Sequence, residues 1–442
     1  VLIGDLSLPA PTVESVKSKQ TTQVRPHPEL LPDLREKKTK FGALSRPILL
    51  SLAIFTAVNV GLAQWSDAQQ SKNAKAPMGD FWTNPAVIDL AIKQYNEQTP
   101  PAKVVLLGSS LVMFPFWAMD AAFNPAIEDI AHYHKSKALE AALGDTGTGE
   151  LKNTGVFSLA SAGQMSSDTY LYASEFLKGK NKPDVIVWGI APRDFSDDNV
   201  KSPMSTVSFK QIVGLGNFNN YAETFLPRFE DKAEFVANHS CFLYGRRWRL
   251  QKEAERALEK VSATVAKVAG APVAADAATA SGASIGLPKL ANLAAPLKPS
   301  NFSAAQMAAL LAGTAEQRWE TSTKEYRGRY KNIAERDMNV QMDCLEKTLK
   351  ICKERDIKVV LVNMPLTNLN QSLMAEGFYD RFSKQVQTVA AKYGKDVTFV
   401  DRSHDSKFQD ADFWDTVHMN HVGGSKLIGD IVPAIRAYLL KQ

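Results

Sequence analysis

The chain has 442 residues, carries 52 Lys and Arg against 47 Asp and Glu for a formal charge of +5, and is 45% hydrophobic. That length supports one α/β domain of ordinary size with a tail and an insertion to spare, and requires no second domain. The small, scattered basic excess argues against nucleic-acid binding. Cys241, Cys344 and Cys352 stand apart with no C-x-x-C spacing, which offers neither a zinc site nor a disulfide framework.

Residues 1–46 hold Pro9, Pro11, Pro26, Pro28 and Pro32 with few aromatics and read as a disordered tail. Pro47 to Ser66 then contains no charge, and at about 1.5 Å per residue it forms a helix of about 30 Å, enough to cross a bilayer. Arg35, Lys37, Lys38, Lys40 and Arg46 precede it, while Trp65 and Asp67 mark its far end. The positive-inside rule then puts the tail in the cytoplasm and the rest of the chain outside. A signal peptide cleaved near Gly61-Leu62-Ala63 and a buried core helix are the alternatives, and the long region before the span weighs against cleavage.

Residues 67–100 comprise a polar linker and a short amphipathic helix over Val87–Tyr95. The domain proper, 101–442, is marked by short apolar runs at 103–108, 155–160, 184–189, 358–365 and 397–401, the pattern of parallel strands covered on both faces. Helical patterns over Ser167–Leu177, Met338–Arg355 and Phe378–Tyr393 lie between them. The alternation predicts a three-layer α/β/α sandwich around a central parallel sheet, with its site at the carboxyl ends of the strands. One stretch, about 200–335, breaks the rhythm. Its Ala-rich centre, 261–315, is low-complexity insertion, and the flank Phe225–Glu259 reads either as cap helices over the site edge or as plain exposed helices.

Two motifs carry chemistry. Gly108-Ser109-Ser110 follows the first core strand directly, where a glycine turn exposes a serine near helix-end N–H donors. Near the far end, Asp415-Thr416-Val417-His418 sets a carboxylate three residues before an imidazole. On one helical turn, Asp415 reaches His418 and fixes its tautomer; the competing structural role is an N-cap for the last helix. A serine hydroxyl needs such a base, because it is not ionised at neutral pH. His421, six residues from Asp415, is the rival base. His132-Tyr133-His134 reads as a surface helix rather than a metal site, and His404 with Asp405 beside Asp401 reads as a solvated loop.

With both motifs at opposite ends of one α/β pattern, the sequence resembles the SGNH or GDSL hydrolase superfamily, which carries its nucleophile in a G-D-S-like block and its Asp and His in a D-x-x-H block. Gly108-Ser109-Ser110 matches the first with Ser109 where Asp is usual, and Asp415 and His418 match the last, followed by Asn420 and Gly423. The resemblance makes Ser110, Asp415 and His418 catalytic. It places Gly163, in the second block, and the Ser110 N–H in the oxyanion hole. The third block, usually G-x-N-D, reads Gly189 to Asp194, so the asparagine donor is replaced by Ala191; Arg193 either substitutes for it or pairs with Asp194, Asp197 or Asp198.

The amino-terminal anchor also resembles the branch that acts on cell-envelope polymers beside a polytopic membrane acyltransferase, as in D-alanylation or alginate O-acetylation. That resemblance implies an extracytoplasmic esterase or O-acyltransferase taking an acyl ester or polysaccharide, with no cofactor and no metal. The alternative is a homologue that keeps the fold as an assembly partner and has lost the chemistry.

Overall fold

The computed structural model describes residues 46–73, 85–124, 127, 130, 132–144, 151–200, 202–245, 314–333 and 335–440. The predicted tail up to residue 45, most of the linker and residues 261–313 of the Ala-rich insertion lie outside the described residues. By its contacts the chain divides at Val58 and Asn59. The described part of the first unit is the beginning of helix α1 (Arg46–Asn73), and the second unit, Asn59–Gln442, contains the sheet.

Within α1, Ile48–Trp65 is long and apolar enough to cross a membrane, and Ile48, Leu50, Leu52, Ile54, Phe55 and Val58 are exposed where a soluble core helix would bury them. The helix continues to Asn73, into what the polarity of the sequence marks as linker.

The elements that follow are α2 (Pro85–Glu97), β1 (Val104–Leu107), α3 (Ser110–Phe123), α4 (Lys137–Gly144), β2 (Val156–Ser158), α5 (Ser166–Glu175) and β3 (Val185–Ile190). Then come α6 (Val207–Ile212), α7 (Phe218–Phe225), α8 (Phe229–Ser240), α9 (Phe242–Gly245) and α10 (Ala315–Arg329). The chain finishes with α11 (Glu335–Glu354), β4 (Lys358–Asn363), α12 (Asn368–Gln371), α13 (Phe378–Ala391), β5 (Val397–Asp401) and α14 (His421–Leu439). All five strands fall on the predicted apolar runs.

The sheet is wholly parallel in the order β2-β1-β3-β4-β5, with Val104 opposite Val156 and Val185, Ile186 opposite Val359, and Val359 opposite Val397. Helices α3, α4 and α14 pack together on one face, and α5, α11 and α13 pack together on the other. The central strands are therefore covered on both sides and apolar throughout, whereas the edge strand β5 is only partly buried. Trp188 is the largest fully buried side chain in this core, and burying a residue of that kind contributes roughly 1.5–3 kcal/mol. On the first face α14 approaches α3 so closely that a Cβ on Gly424 would sit 2.6 Å from the Pro115 carbonyl oxygen.

The connections leave β1 toward β2 on one side and return to β3 on the other. The carboxyl ends of β1 and β3 therefore flank the point where the strand order reverses, and parallel sheets open a crevice there.

The insertion departs from expectation. Phe209, Tyr221, Phe225 and Phe235 from α6, α7 and α8 form a second apolar cluster with Leu171 of α5 and Cys344 of α11. These helices thus thicken one outer layer of the sandwich, and the aromatics Phe225 and Phe235 of the flank read as either cap or exposed helices pack within it. The reading of Phe225–Glu259 beyond Gly245 lies outside the described residues. Cys344 and Cys352 share α11, as their spacing predicts, and are free and buried.

Candidate active site

Gly108, at the end of β1, turns the chain with φ of +136°, a conformation that side chains rarely adopt. A Cβ at this position would lie 2.5 Å from the Gly189 carbonyl oxygen on β3. This glycine lets the chain enter α3 at once, with Ser110 as the first helical residue. The first N–H groups of a helix have no partner within it, and the helix dipole leaves that end positive, so the Ser110 hydroxyl stands where negative charge is favoured.

His418 Nε2 lies 2.9 Å from Ser110 Oγ, and His418 Nδ1 lies 2.7 Å from Asp415 Oδ2. The three predicted residues thus form one continuous hydrogen-bonded line. The carboxylate reaches the imidazole by a route the sequence reading missed. Residues 415–418 form a tight loop, not a helical turn, and α14 begins only at His421 with Asn420 as its N-cap. Asp415 Oδ1 accepts from the backbone N–H of Val417 and His418, at 2.8 and 2.9 Å, which folds the loop around its own side chain. Burial raises the Asp415 carboxyl, but the charge on His418 and the hydrogen bonds from His418 and Val417 outweigh it, holding the group below its ordinary value. Asp415 therefore stays anionic and orients Nδ1–H, which leaves Nε2 free to accept a proton. His421 is exposed at the start of α14.

Aromatic packing holds the His418 ring. The Phe114 ring, one turn after Ser110, lies 4.4 Å from the imidazole centroid, and Phe114 and Trp117 both meet Trp414 edge to face. Ser110, Phe114 and Trp117 follow at i, i+4 and i+7, so one face of α3 carries Ser110 and the rings that pack against His418 and Trp414. That spacing, together with Phe413-Trp414, was a usable signal in the sequence.

Polar contacts secure the back of the loop. Thr416 is fully buried; its hydroxyl lies 2.5 Å from Ser322 Oγ and accepts from Asn370 Nδ2 at 3.2 Å, while its carbonyl accepts from Thr367 Oγ1 at 2.8 Å. Arg318 Nε donates to the Trp414 carbonyl at 3.2 Å. Ser322 and Arg318 belong to α10, so the later flank of the insertion reaches the site.

Beyond the end of β2, the Leu159 N–H donates to Leu106 O and the Ser161 N–H to Gly108 O, at 2.9 and 3.1 Å. This pairing carries Gly163 alongside the serine turn. Gly163 has φ of +76°, and among the described residues its N–H donates to no protein acceptor. On the other side of β1, Ala191 has no side-chain donor to offer. Arg193 is buried: Nε contacts Asp197 at 3.2 Å, Nη1 contacts Asp194 at 3.2 Å and the Gln164 carbonyl at 3.5 Å, and Nη2 contacts the Gly163 carbonyl at 3.3 Å. Most of its five donors are engaged in joining the second and third loops, and the Asp194 and Asp197 pairing anticipated from sequence is present. Burial pushes the Asp194 carboxyl up to about 6 against the pull of Arg193. The Ser109 hydroxyl makes no hydrogen bond of good geometry, yet it lies close enough to Asp194 to favour the carboxylate.

The histidine pair set aside earlier is placed differently from the prediction. His132 lies on a turn and His134 in an irregular segment, neither on a surface helix. His134 is buried, stacked on Phe157 at 5.6 Å, with Nδ1 3.0 Å from the Ser158 carbonyl. His404 lies 2.7 Å from Asp380, while Asp401 accepts from Ser383 and Asn363. Among the described residues no group of His, Cys, Asp and Glu side chains is arranged to hold a metal ion.

The arrangement can take a proton from a serine hydroxyl, hold it on an oriented imidazole and return it. No protein-family model matches the chain, and no curated protein matches it either.

Proposed function

We propose that the chain is a serine esterase or O-acyltransferase of the SGNH type, anchored by α1 with its sheet domain outside the cytoplasm, acting on an acyl ester or acylated cell-envelope polysaccharide. The observation that carries this reading is the Ser110–His418–Asp415 line, with contacts of 2.9 and 2.7 Å at the end of a parallel strand. Ser110 Oγ attacks the acyl carbonyl carbon as His418 Nε2 takes its proton. The resulting oxyanion lies at the amino end of α3, where the Ser110 and Gly163 N–H groups are its donors. Collapse breaks the ester C–O bond, and His418 returns the proton to the leaving alcohol. The acyl group, now on Ser110, passes to water or a sugar hydroxyl that His418 deprotonates in turn.

The basic flank before α1 supports a cytoplasmic amino terminus, and a polytopic acyltransferase in the same membrane is the natural donor of acyl groups. The test uses the membrane fraction of cells expressing the full chain. The wild type is expected to turn over p-nitrophenyl acetate and to be labelled by a fluorophosphonate probe, and Ser110→Ala to do neither; equal labelling of both chains would refute the assignment.

A second reading, an assembly partner without turnover, draws on Ala191 where the third donor is expected. It predicts a chain that co-purifies with a membrane protein and hydrolyses no short acyl ester.

A further inference from the structure

Helix α10 joins two parts of the site that are otherwise separate. Arg318, Ser322, Tyr326 and Arg329 recur at the spacing of one helical face. One end of that face is held by the Asp415–His418 loop, through Arg318 to the Trp414 carbonyl and Ser322 to the Thr416 hydroxyl. The other end is held by the third loop, where Arg329 Nη1 bonds Asp197 Oδ2, the oxygen that also takes Arg193 Nε. Tyr326 stands between these anchors, roughly 6 Å along the axis from Ser322 and about 4.5 Å from Arg329.

Tyr326 is a buried residue, with its ring centroid 5.7 Å from that of Tyr330 and from the Arg329 guanidinium carbon. Arg193 and Asp415, from the two opposite loops, both act electrostatically on its phenol, and burial keeps that phenol protonated. Among the described residues its hydroxyl makes no hydrogen bond, and the oxygen is not one of the polar atoms sealed from solvent. The ring is thus buried while the hydroxyl oxygen, which bonds no described residue, stays reachable from solvent and open to a ligand. A tyrosine here makes physical sense if something that enters the site completes the bond.

We propose that the Tyr326 hydroxyl is a substrate-contacting donor of the Ser110 site, supplying to the acyl oxygen the hydrogen bond that Ala191 cannot. This inference rests on the acyl-transfer reading of Ser110. It gives α10 a chemical role alongside its structural one, and it accounts for a third donor on a helix remote in sequence from the third block.

The test compares the full-length wild type with Tyr326→Phe in detergent extract, following p-nitrophenyl acetate turnover, fluorophosphonate labelling and thermal melting. The expected result is a kcat lower by about 10²- to 10³-fold, the usual loss for one oxyanion donor, with KM little changed and a melting temperature equal to or above that of the wild type. A purely structural hydroxyl would lower the melting temperature and spare kcat. An active wild type with Tyr326→Phe within about threefold of its kcat overturns the Tyr326 assignment alone, against the expected loss. A wild type without turnover or labelling overturns both readings.

Discussion

Thr416→Val isolates the support behind the 415–418 loop. Valine keeps the shape of the fully buried threonine and leaves its backbone bond from Thr367 intact, but it strands the Ser322 hydroxyl and the Asn370 amide. A buried neutral partner left unpaired costs about 1–3 kcal/mol, so two cost about 2–4 kcal/mol once the Ser322 hydroxyl has rotated to its best remaining position. For a domain of this size, that lowers the melting temperature by on the order of 5–10 °C. The same loop holds His418 2.9 Å from Ser110, and a displacement of about 1 Å at such a contact costs roughly 10²-fold in rate. Thermal melting and the rate of fluorophosphonate labelling, measured on one preparation, read both effects. Ser322→Ala combined with Thr416→Val should be less destabilising than the sum of the single changes, by about 0.5–3 kcal/mol, because one stranded group is gone. Thr416→Val that melts with the wild type and labels at the same rate would refute the account of how this loop is held.

Asp415→Asn should lower kcat by on the order of 10⁴-fold while the chain stays folded, since the amide no longer fixes the tautomer of His418; activity within tenfold of wild type would contradict that role. The folded-state pKa of Asp415 is depressed, so its contribution to stability is present above the ordinary value of 3.8 and is lost as pH falls through the lower folded value. The stability gap between wild type and Asp415→Asn, followed by denaturant titration, should therefore be constant from neutral pH down to about 5 and close under stronger acid. Gly108→Ala places a Cβ 2.5 Å from the Gly189 carbonyl oxygen at φ of +136°. Its yield of folded chain should collapse, and a normal melting curve would show that the turn is not what admits Ser110.

The strands were legible because burial on both faces of a parallel sheet demands uninterrupted apolar runs. Val104–Leu107 and Val185–Ile190 stand out against polar flanks for that reason. Ser110, Asp415 and His418 were legible because each lies in a short motif. What surrounds them was not. Phe114 packs against His418, and Ser322 and Asn370 hold Thr416, through contacts between segments far apart in sequence; the i, i+4, i+7 spacing on α3 marks a face without naming its partner. The 415–418 turn was misread as helix because an i, i+3 pair satisfies both geometries, and only the backbone bonds to Asp415 Oδ1 separate them. The aromatics of α6 to α8 likewise announce a packed face without saying which surface it covers.

Ser110 and His418 lie 308 residues apart, and the loop bearing the base sits between the last strand and the last helix of the fold. Synthesis at roughly 5–20 residues per second therefore separates the emergence of Ser110 and His418 by about 15–60 s. Throughout that interval the serine is an ordinary alcohol. A chain broken off after β4 carries the glycine turn, the Gly163 loop and α10 but lacks His418, so on the proposed mechanism unfinished copies are inert toward acyl esters. On that mechanism, reactivity arrives with the last elements of the fold.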